Sequence, residues 1–410
     1  MNTRHFFARP LKTYLPAAVA VALTVSMVLY PEDAFASAVK GLTIWWNIVF
    51  PALLPFFIGS EILMGLGVVH FLGVLLEPLM RPLFNVPGVG SFVLAMGLAS
   101  GFPIGAILTA RLRREELVSK VEGERLMCFT NTADPLFMTG AVAVGMLGRP
   151  DVAFVISAAH YLSSITTGFF LRFYGKNRPA TREKQSYGSI LGRALQALAA
   201  ARQKDGRPIG QLMGDAIRNS INSLLLVGGF IILFSVLIRI LTIAGVIGLL
   251  GRGLMAILGP LGLDSSLVPA LISGIFEIDL GCELAGQAAA VPLMQKVMVV
   301  GSIIAWSGLS VYAQVASIIS DTDLSPVPYF FARLLHATLA ALYTWLLMGP
   351  LAVITAVLPA FARLQQAGGM VHFARIFFMS RLFLLSSAAL LIVGIALHLY
   401  HGFKIAVFRR

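Results

Sequence analysis

Two parts of the chain, about 173 residues apart, show the same order of apolar segments and breaks. The first, Leu53 to Ala141, contains LLPFFIGSEIL, GLASGFPIGAIL and CFTNTADPLFMTGA. The second, Leu226 to Val315, contains LVGGFIILFSVL, LISGIFEIDLGCEL and IIAWSGLSVYAQV. Ser-Gly, Pro and Asn inside an apolar segment predict that the helix is interrupted there. A repeated pair of interrupted membrane helices indicates the central binding site of a transporter.

Composition places nearly the whole chain in a lipid bilayer. Of its 410 residues, 58% are hydrophobic and 12% are charged, and the mean hydropathy is +0.85. Roughly ten to twelve apolar stretches are long enough to be membrane spans. Because backbone polar groups must be satisfied inside lipid, we expect an all-α polytopic membrane protein. Its predicted fold is an inverted-repeat helical bundle with broken, discontinuous helices.

The basic residues are concentrated in loops, so the net charge of +12 does not indicate nucleic acid binding. The longest polar stretch, Arg172 to Asp215, holds nine basic and three acidic residues. The positive-inside rule predicts that this stretch is cytoplasmic, with some attraction to anionic membrane lipids. The turn from Gly148 to Asp151 is then external, and the second copy begins inside. The two copies are therefore predicted to be inverted, which is the basis of alternating access.

This topology divides the chain into parts. The apolar run that ends near Tyr30 is predicted to be a retained membrane helix, although Ala34-Phe35-Ala36 resembles a signal-peptidase site. The predicted parts are an N-terminal membrane helix (1–38), the first repeat (39–173), a basic cytoplasmic linker (174–215), the second, inverted repeat (216–360), and a C-terminal membrane helix with a basic tail (361–410).

The breaks predict where a substrate binds. A helix that starts at a break has unpaired N–H groups and a positive end, which attract carboxylates and phosphates. Ser, Thr, Asn and Asp before a Pro are typical of such a start. The alternative is that the breaks are simple kinks, which are common in membrane helices. The predicted substrate-binding residues are Ser100, Gly101, Pro103, Asn131, Thr132, Asp134, Ser273, Trp306, Ser307 and Ser310.

Three acidic residues form a dense group in an otherwise apolar segment. They are Glu277, Asp279 and Glu283, and the last two share a helix face if the helix is continuous there. Acids within membrane helices usually mark a path for ions or protons. We therefore expect one of them to bind the coupling proton or cation. The alternative is a shallow segment in which Glu283 faces water.

No cofactor and no metal site are expected. The seven His are scattered, and Cys128 and Cys282 lie in apolar segments, so neither residue type forms a ligand pattern. A Walker A run is missing, so ATP binding by this chain is not expected. His160 and His336 are the candidate bases of an intramembrane enzyme, but neither has a Gly-x-Ser-x-Gly neighbourhood. We expect a protein that is not an enzyme, and the sequence leaves open whether it forms a homo-oligomer.

Several stretches between Gly41 and Gly148 resemble a known family. They read GLTIWWNIVFPALLPFFIGSEIL, GLASGFPIGA and ERLMCFTNTADPLFMTGAVAVGMLG. They resemble the YlbJ family of sporulation integral membrane proteins of endospore-forming Firmicutes, and the resemblance covers nearly the full chain. The two repeats look like the nucleoside-recognition, or Gate, domains of concentrative nucleoside transporters and of the ferrous-iron transporter FeoB. The resemblance implies export of dipicolinic acid from the mother cell toward the forespore, across the outer forespore membrane.

The residues alone leave several functions open. A small organic anion suits positive helix ends, and Phe102, Phe137 or Trp306 would stack on its ring. A nucleoside or a metal ion would use the same Gate-type fold, although a metal would need clustered His, Cys or Met at the breaks. A non-transporting sporulation membrane scaffold is a further alternative.

Overall fold

The structure is a computed structural model that describes residues 4–178, 180–181 and 189–351. Within these ranges every regular element is a helix, as the apolar pattern predicts. The predicted C-terminal helix and basic tail, 361–410, lie outside the described residues. The all-helical class expected from the sequence is confirmed.

Short helices make up most of the first half of the chain, because Gly, Pro and Asn interrupt its apolar runs. The helix widens into π-helical turns at Trp45–Val49, Met80–Phe84 and Phe137–Met146. The α-helices are α1 (Arg4–Leu29), α2 (Pro31–Ile44), α3 (Phe50–Gly65), α4 (Val68–Leu79), α5 (Gly90–Ser100), α6 (Ile104–Arg114), α7 (Lys120–Thr130) and α8 (Ala153–Leu171), and a 3-10 turn covers Pro150–Val152.

The second half begins with a linker helix and one long helix. Short 3-10 turns at Gly259–Leu261 and Ser265–Leu267 then lead into another set of divided helices. The α-helices are α9 (Ile190–Asp205), α10 (Ile209–Ile243), α11 (Val246–Leu258), α12 (Val268–Phe276), α13 (Ile278–Gln287), α14 (Leu293–Trp306), α15 (Gly308–Ile318) and α16 (Val327–Met348).

The same order of elements runs through both halves. A helix (α3 or α10) is followed by a shorter one (α4 or α11) and by a divided pair (α5 with α6, or α12 with α13). A second divided helix follows, which is α7 with its π-helical continuation or α14 with α15. A closing helix, α8 or α16, ends each half. The discontinuous helices predicted from the sequence are therefore present in both halves.

Most of the predicted breaks are confirmed, but one lies elsewhere. The confirmed breaks follow Ser100 in α5, Thr130 in α7 and Trp306 in α14. The Ser273-Gly274 pair lies inside α12, which continues to Phe276, so this predicted break is wrong. Gly274 provides close packing instead, because a Cβ on Gly281 of α13 would lie 2.5 Å from its Cα. The break comes at Glu277, whose extended backbone (φ −147°, ψ 130°) separates α12 from α13.

Among the described residues, four helices are long and apolar enough to cross a membrane, or up to six if each bent pair is one span. The bent pairs are Ala17–Leu29 with Pro31–Val49, at 102°, and Leu53–Gly65 with Val68–Phe84, at 75°. Fewer stretches pass this test than the roughly ten to twelve counted from the sequence. The reason is that the breaks divide apolar stretches into helices of 10–17 residues.

The two halves are joined by long helices. Helix α10 packs along α2 and α3, and α16 packs against both α8 and α14. Trp45 Nε1 donates to Leu224 O at 2.9 Å across the first of these contacts. Gly228 makes room for the indole, since a Cβ there would lie 2.6 Å from the Trp45 ring. The resulting core contains residues from both halves and surrounds the breaks.

The predicted linker, 174–215, contains a helix of its own. Helix α9 starts at Ser189, whose Oγ accepts from Gly192 N–H at 3.1 Å. It packs against α4, where Arg193 pairs with Glu77 at 2.8 Å. Helix α10 already begins at Ile209, so the end of the predicted linker belongs to the long helix.

Candidate functional site

Glycine allows the first two breaks to touch. Gly101 has a φ of +74°, a backbone conformation that favours glycine. A Cβ at this position would lie 2.8 Å from Asp134 Oδ2. One turn earlier, a Cβ on Gly97 would overlap the carbonyl oxygen of Thr130. The break between α5 and α6 therefore lies directly against the break that follows α7.

The segment after α7 is held by side chains from its neighbours. Thr132 Oγ1 donates to Gly97 O at 3.0 Å. The N–H of Ala133 donates to His160 Nε2 of α8 at 3.1 Å. Tyr161 Oη lies 3.2 Å from the carbonyl oxygen of Ala133 and donates to it. These bonds satisfy backbone groups that would otherwise be unpaired inside the bundle.

A carboxylate caps the helix that starts after this break. Asp134 Oδ1 accepts from the N–H of Leu136 at 3.0 Å and from the N–H of Phe137 at 2.8 Å. The sequence predicts this helix cap, because Asp is a favoured capping residue and Pro135 suits the first helical position. The side chain of Asp134 is buried.

The second half has the same arrangement at Glu277. Its Oε2 accepts from the N–H of Asp279 at 2.7 Å, so it caps α13. Its Oε1 accepts from Ser310 Oγ at 3.3 Å, which ties α15 to the same carboxylate. Gly308 permits this approach, since a Cβ there would lie 3.0 Å from Phe276 O.

These two caps change the expectation drawn from the sequence. We predicted that the starts of the half-helices would offer free N–H groups to a substrate anion. Asp134 and Glu277 already occupy two of these starts. An anion that reached either start would meet a carboxylate of the protein, and like charges repel strongly in a site of low dielectric constant.

Breaks from the two halves meet at one tyrosine. Ser307 has a left-handed backbone (φ +71°) between α14 and α15, and its Oγ lies 3.3 Å from Tyr329 Oη. Asn131 Nδ2 donates to the same Oη at 2.9 Å. All three residues have an exposed fraction of 0%. The structure therefore brings predicted site residues of both copies into one network.

The breaks enclose a cavity of about 60 Å³ between the two halves. Its wall combines three buried carboxylates with phenylalanine rings. Asp279 Oδ1 has no hydrogen-bond partner among the described residues. The wall consists of Val49, Leu53, Phe57, Phe102, Ala133, Asp134, Phe137, Val227, Phe230, Glu277, Ile278, Asp279, Val311 and Gln314.

The cavity wall is acidic. Of the residues that the structure describes, no Lys, Arg or His belongs to this wall. Ionised acids inside a membrane protein require a cation, a proton or a hydrogen-bond donor nearby. Within the described ranges, the cavity included, no group of three or more His, Cys, Asp or Glu is placed to hold a metal ion. The chemistry of the cavity favours protons or a small cation together with a flat apolar group.

Several predicted residues lie beside the cavity rather than on its wall. Ser100 and Ser273 are buried within α5 and α12. Pro103 precedes the first turn of α6. Trp306 Nε1 donates to Ile275 O at 3.0 Å, so this indole packs against α12.

The three predicted acids are not equivalent in the structure. Glu277 and Asp279 are both 4% exposed and line the cavity. Glu283 is partly exposed and accepts from Gln287 Nε2 at 2.7 Å on the outer part of α13. Glu283 therefore does not line the cavity that contains the other two acids.

The sequence reasoning missed a polar group behind the breaks. Tyr329 and Arg333 of α16 are buried, and both bond to residues of the first half. His160 and His336, which we considered as enzymatic bases, belong to the same group, with their ring centroids 4.7 Å apart. The spacing of Tyr329, Arg333 and His336 in an otherwise apolar helix is a signal that could have identified them.

Ion pairs between loop residues and the end of α6 also join the two halves. Arg113 Nε lies 2.8 Å from Asp323 Oδ1, and Arg114 Nη2 lies 2.9 Å from Asp321 Oδ1. Hydrogen bonding to Arg113 lowers the pKa of Asp323, and Arg114 does the same for Asp321. These pairs tie the end of α6 to the loop after α15.

Comparison with known proteins identifies relatives of the whole chain and of one part. Residues 47–175 match the Gate family model, described as nucleoside recognition. The outward-facing structure of a variant of CNTnw is similar at a TM-score of 0.38 and 16% identity, covering 84% of this chain and 87% of that one. This similarity is too low to support a conclusion about the function of the present chain.

A much more similar relative is the sporulation integral membrane protein YlbJ of Bacillus subtilis (strain 168). The two sequences are 47% identical over 344 residues, which cover 83% of this chain and 84% of the relative. Such identity over most of both chains means a shared fold and a shared ancestry. The chain belongs to the family of the sporulation integral membrane protein YlbJ.

Proposed function

We propose that this protein is a secondary transporter that moves a small organic anion, dipicolinate, together with protons or cations. The observation that carries the proposal is the cavity in which the breaks of the two halves meet. Matched breaks at the junction of two repeats are the usual place for substrate and coupling ion in transporters. The sporulation family supports dipicolinate as the anion, since the family resemblance implies it.

The acids of the cavity explain why the anion would have to bind together with protons or a cation. Asp134, Glu277 and Asp279 lie on one wall. A dianion that entered with all three ionised would be strongly repelled, because Coulomb energies are large at low dielectric constant. Protons or a cation that bind first would remove this repulsion. Coupling then follows from electrostatics, because the anion binds well only after the positive charge has arrived.

The rings of the cavity suit a flat aromatic substrate. Phe102 and Phe137 belong to the first half, and Phe57 and Phe230 lie on the neighbouring helices. Aromatic side chains pack on a planar ring by offset or edge-to-face contacts. The cavity of about 60 Å³ is too small for such a ring in this conformation. Transport therefore requires a second conformation in which the cavity is wider and open to one side of the membrane, as alternating access requires.

A nucleoside is the second candidate. The observation that favours it is that carboxylates and Gln314 line the cavity beside phenylalanine rings. Carboxylates accept hydrogen bonds from sugar hydroxyl groups, and the rings would stack on a base. A neutral nucleoside would not be repelled by the acids.

The proposed location is the outer forespore membrane, with export from the mother cell toward the forespore. The basic linker is the proposed cytoplasmic face, because Lys and Arg are enriched in cytoplasmic loops. Deletion in the host should then prevent dipicolinate from accumulating in spores while synthesis in the mother cell continues. Spores of a deletion strain with normal dipicolinate would contradict the assignment.

Purified full-length protein in proteoliposomes tests the substrate directly. We expect labelled dipicolinate to accumulate when a proton or sodium gradient is imposed. We expect no accumulation of labelled uridine under the same gradient. Protein-free liposomes and liposomes with the Asp279→Asn variant serve as controls. Accumulation of uridine without dipicolinate would select the nucleoside reading, and transport of neither would contradict both.

A further inference from the structure

Helix α16 carries a polar stripe that is almost completely buried. Tyr329, Arg333 and His336 have exposed fractions of 0%, 1% and 0%. Their spacing of four and three residues places them on one face of the helix. This face reaches into the first half of the chain: Tyr329 Oη accepts from Asn131 Nδ2, and His336 Nε2 lies 3.0 Å from His160 O.

Arg333 lies at the centre of this stripe and bonds to backbone oxygens of two helices. Its Nη2 donates to Cys128 O, and its Nη1 donates to Asn131 O at 3.0 Å. The same Nη1 donates to Ala305 O at 3.4 Å. The last carbonyl groups of a helix have no partner within that helix. One guanidinium therefore caps the C-terminal ends of α7 and α14, which are the first parts of the two broken helices.

The helix ends explain how a buried cation is tolerated at this place. Among the described residues, no Asp or Glu forms an ion pair with Arg333. Each helix C-terminus carries about half a negative elementary charge, so the two ends together offset one guanidinium. The ring of Tyr329 adds a cation–π contact, with its centroid 5.0 Å from the Arg333 Cζ.

Arginine is specifically suited to this position. Its planar fork presents donors in fixed directions, so it can bond to oxygens of two separate helices at once. A lysine ammonium is a compact point charge on a flexible stem, so it lacks the fixed donor directions that hold both helix ends at the same time. Tyr329 makes a second link between the same broken helices, because its Oη contacts both Asn131 and Ser307.

We propose that Arg333 is a positioning residue that joins the two broken helices into one unit across the boundary between the halves. The breaks would then keep their relative position when the cavity opens, so that Asp134 and Glu277 stay opposed. The role in transport rests on the proposed function. The linkage of α7 to α14 does not, because it can be measured without any substrate.

Hydrogen exchange of the full-length protein in nanodiscs, read by mass spectrometry, tests the linkage. In Arg333→Lys we expect the amides in the last turns of both α7 and α14 to exchange about tenfold faster, as for the loss of a charged hydrogen bond. The matched control is Arg125→Lys. Arg125 is also buried and bonds to backbone oxygens, namely Asn85 O of the first half and Tyr174 O at the start of the linker, so neither partner lies in the second half.

The two variants give distinct patterns if the proposal is right. Arg125→Lys should speed exchange in the first half and leave α14 unchanged. Faster exchange in only one of α7 and α14, or equally throughout the protein in both variants, would overturn the proposal.

If Arg333→Lys does not accumulate in the membrane, Tyr329→Phe is the second variant. It keeps the ring and removes the hydroxyl, and it should speed exchange at both Asn131 and Ser307, whereas an effect at one of them alone would also count against the linkage.

Discussion

The two ends of the broken helices carry opposite charges in this protein. Where the second part of a broken helix begins, at the cavity, a carboxylate caps it: Asp134 in the first half and Glu277 in the second. Behind the cavity, Arg333 caps the ends of α7 and α14, which are the first parts of two broken helices. Each cap has the sign that the helix dipole favours. The comparison shows that the helix ends determine where ionised groups are tolerated inside this bundle.

The difference between the two sides is Asp279. Behind the cavity, one cation meets two negative helix ends and the charges balance. At the cavity, two carboxylates meet two positive helix ends, and Asp279 is a third carboxylate, one oxygen of which has no hydrogen-bond partner within the described part of the chain. This surplus charge lies where a moving cation would have to bind. Under the proposed function, the coupling charge would bind on the cavity side, and Arg333 on the other side would position the helices.

The largest expected effect comes from removing the surplus charge. Asp279→Asn should abolish gradient-driven accumulation, a loss of at least about 100-fold, because the coupling charge no longer has a site. Exchange of substrate across the membrane should continue in part. Glu283→Gln is the matched control, since Glu283 bonds to Gln287 away from the cavity. Accumulation at the wild-type level in Asp279→Asn would contradict the proposal that the coupling charge binds at this carboxylate.

The close contact between the first two breaks should be nearly as sensitive. Gly97→Ala places a Cβ on the carbonyl oxygen of Thr130, so α5 or α7 must shift. Overpacking of this kind costs about 1–3 kcal/mol, and the displaced break should lower transport about tenfold. Gly229→Ala is the control, because no atom lies within 4 Å of its added Cβ. Thermal unfolding in detergent and an uptake assay measure the two effects, and equal midpoints for both variants would contradict the packing argument.

Single hydroxyl groups at the breaks should have a moderate effect. Thr132→Ala removes the bond to Gly97 O, and Ser307→Ala removes the contact with Tyr329 Oη. Each lost bond should cost about 1 kcal/mol, which corresponds to a several-fold decrease in transport. The amount of protein in the membrane should not change, as immunoblotting can verify. Thr338→Ala, whose hydroxyl is exposed and bonds to Leu334 O, should behave like the wild type.

The smallest effect is expected at the ion pairs outside the membrane. Because Arg113 lowers the folded-state pKa of Asp323, the pair stabilises the protein above about pH 4. This stabilisation is lost as the pH falls through the lowered folded-state pKa. An exposed pair contributes less than about 1 kcal/mol. Asp323→Asn should therefore change thermal stability slightly at pH 7, and the difference from the wild type should shrink as the pH falls through the lowered pKa of Asp323.

The control for this pair is Asp151→Asn. Asp151 is bonded to Arg149 within one turn, so it joins no distant elements, and its pKa is lowered in the same way. If the link between the halves matters for transport, Asp323→Asn should change the transport rate more than Asp151→Asn does. Equal rates would mean that the pairing of Asp323 with Arg113 does not contribute to transport.

The positions of most breaks followed from local chemistry and were predictable. Pro135 cannot continue a helix, and Asp134 before it is a capping residue. The prediction failed at Ser273-Gly274, because glycine has two roles that a sequence does not separate. At Gly101 it allows a positive φ at a break, whereas at Gly274 it allows α12 and α13 to pack closely.

The sequence by itself determined the membrane class, the order of the two halves and the residues that end most of the helices. These properties depend on the hydropathy and the backbone preferences of neighbouring residues, which are local. Only the tertiary structure decided which charges meet. Arg333 reaches Cys128 and Asn131 across about 200 residues of chain, and Asp134 and Glu277 occupy helix starts that we expected to be free. The partner of a buried charge depends on which helices pack together, and the spacing along the chain carries no record of that packing.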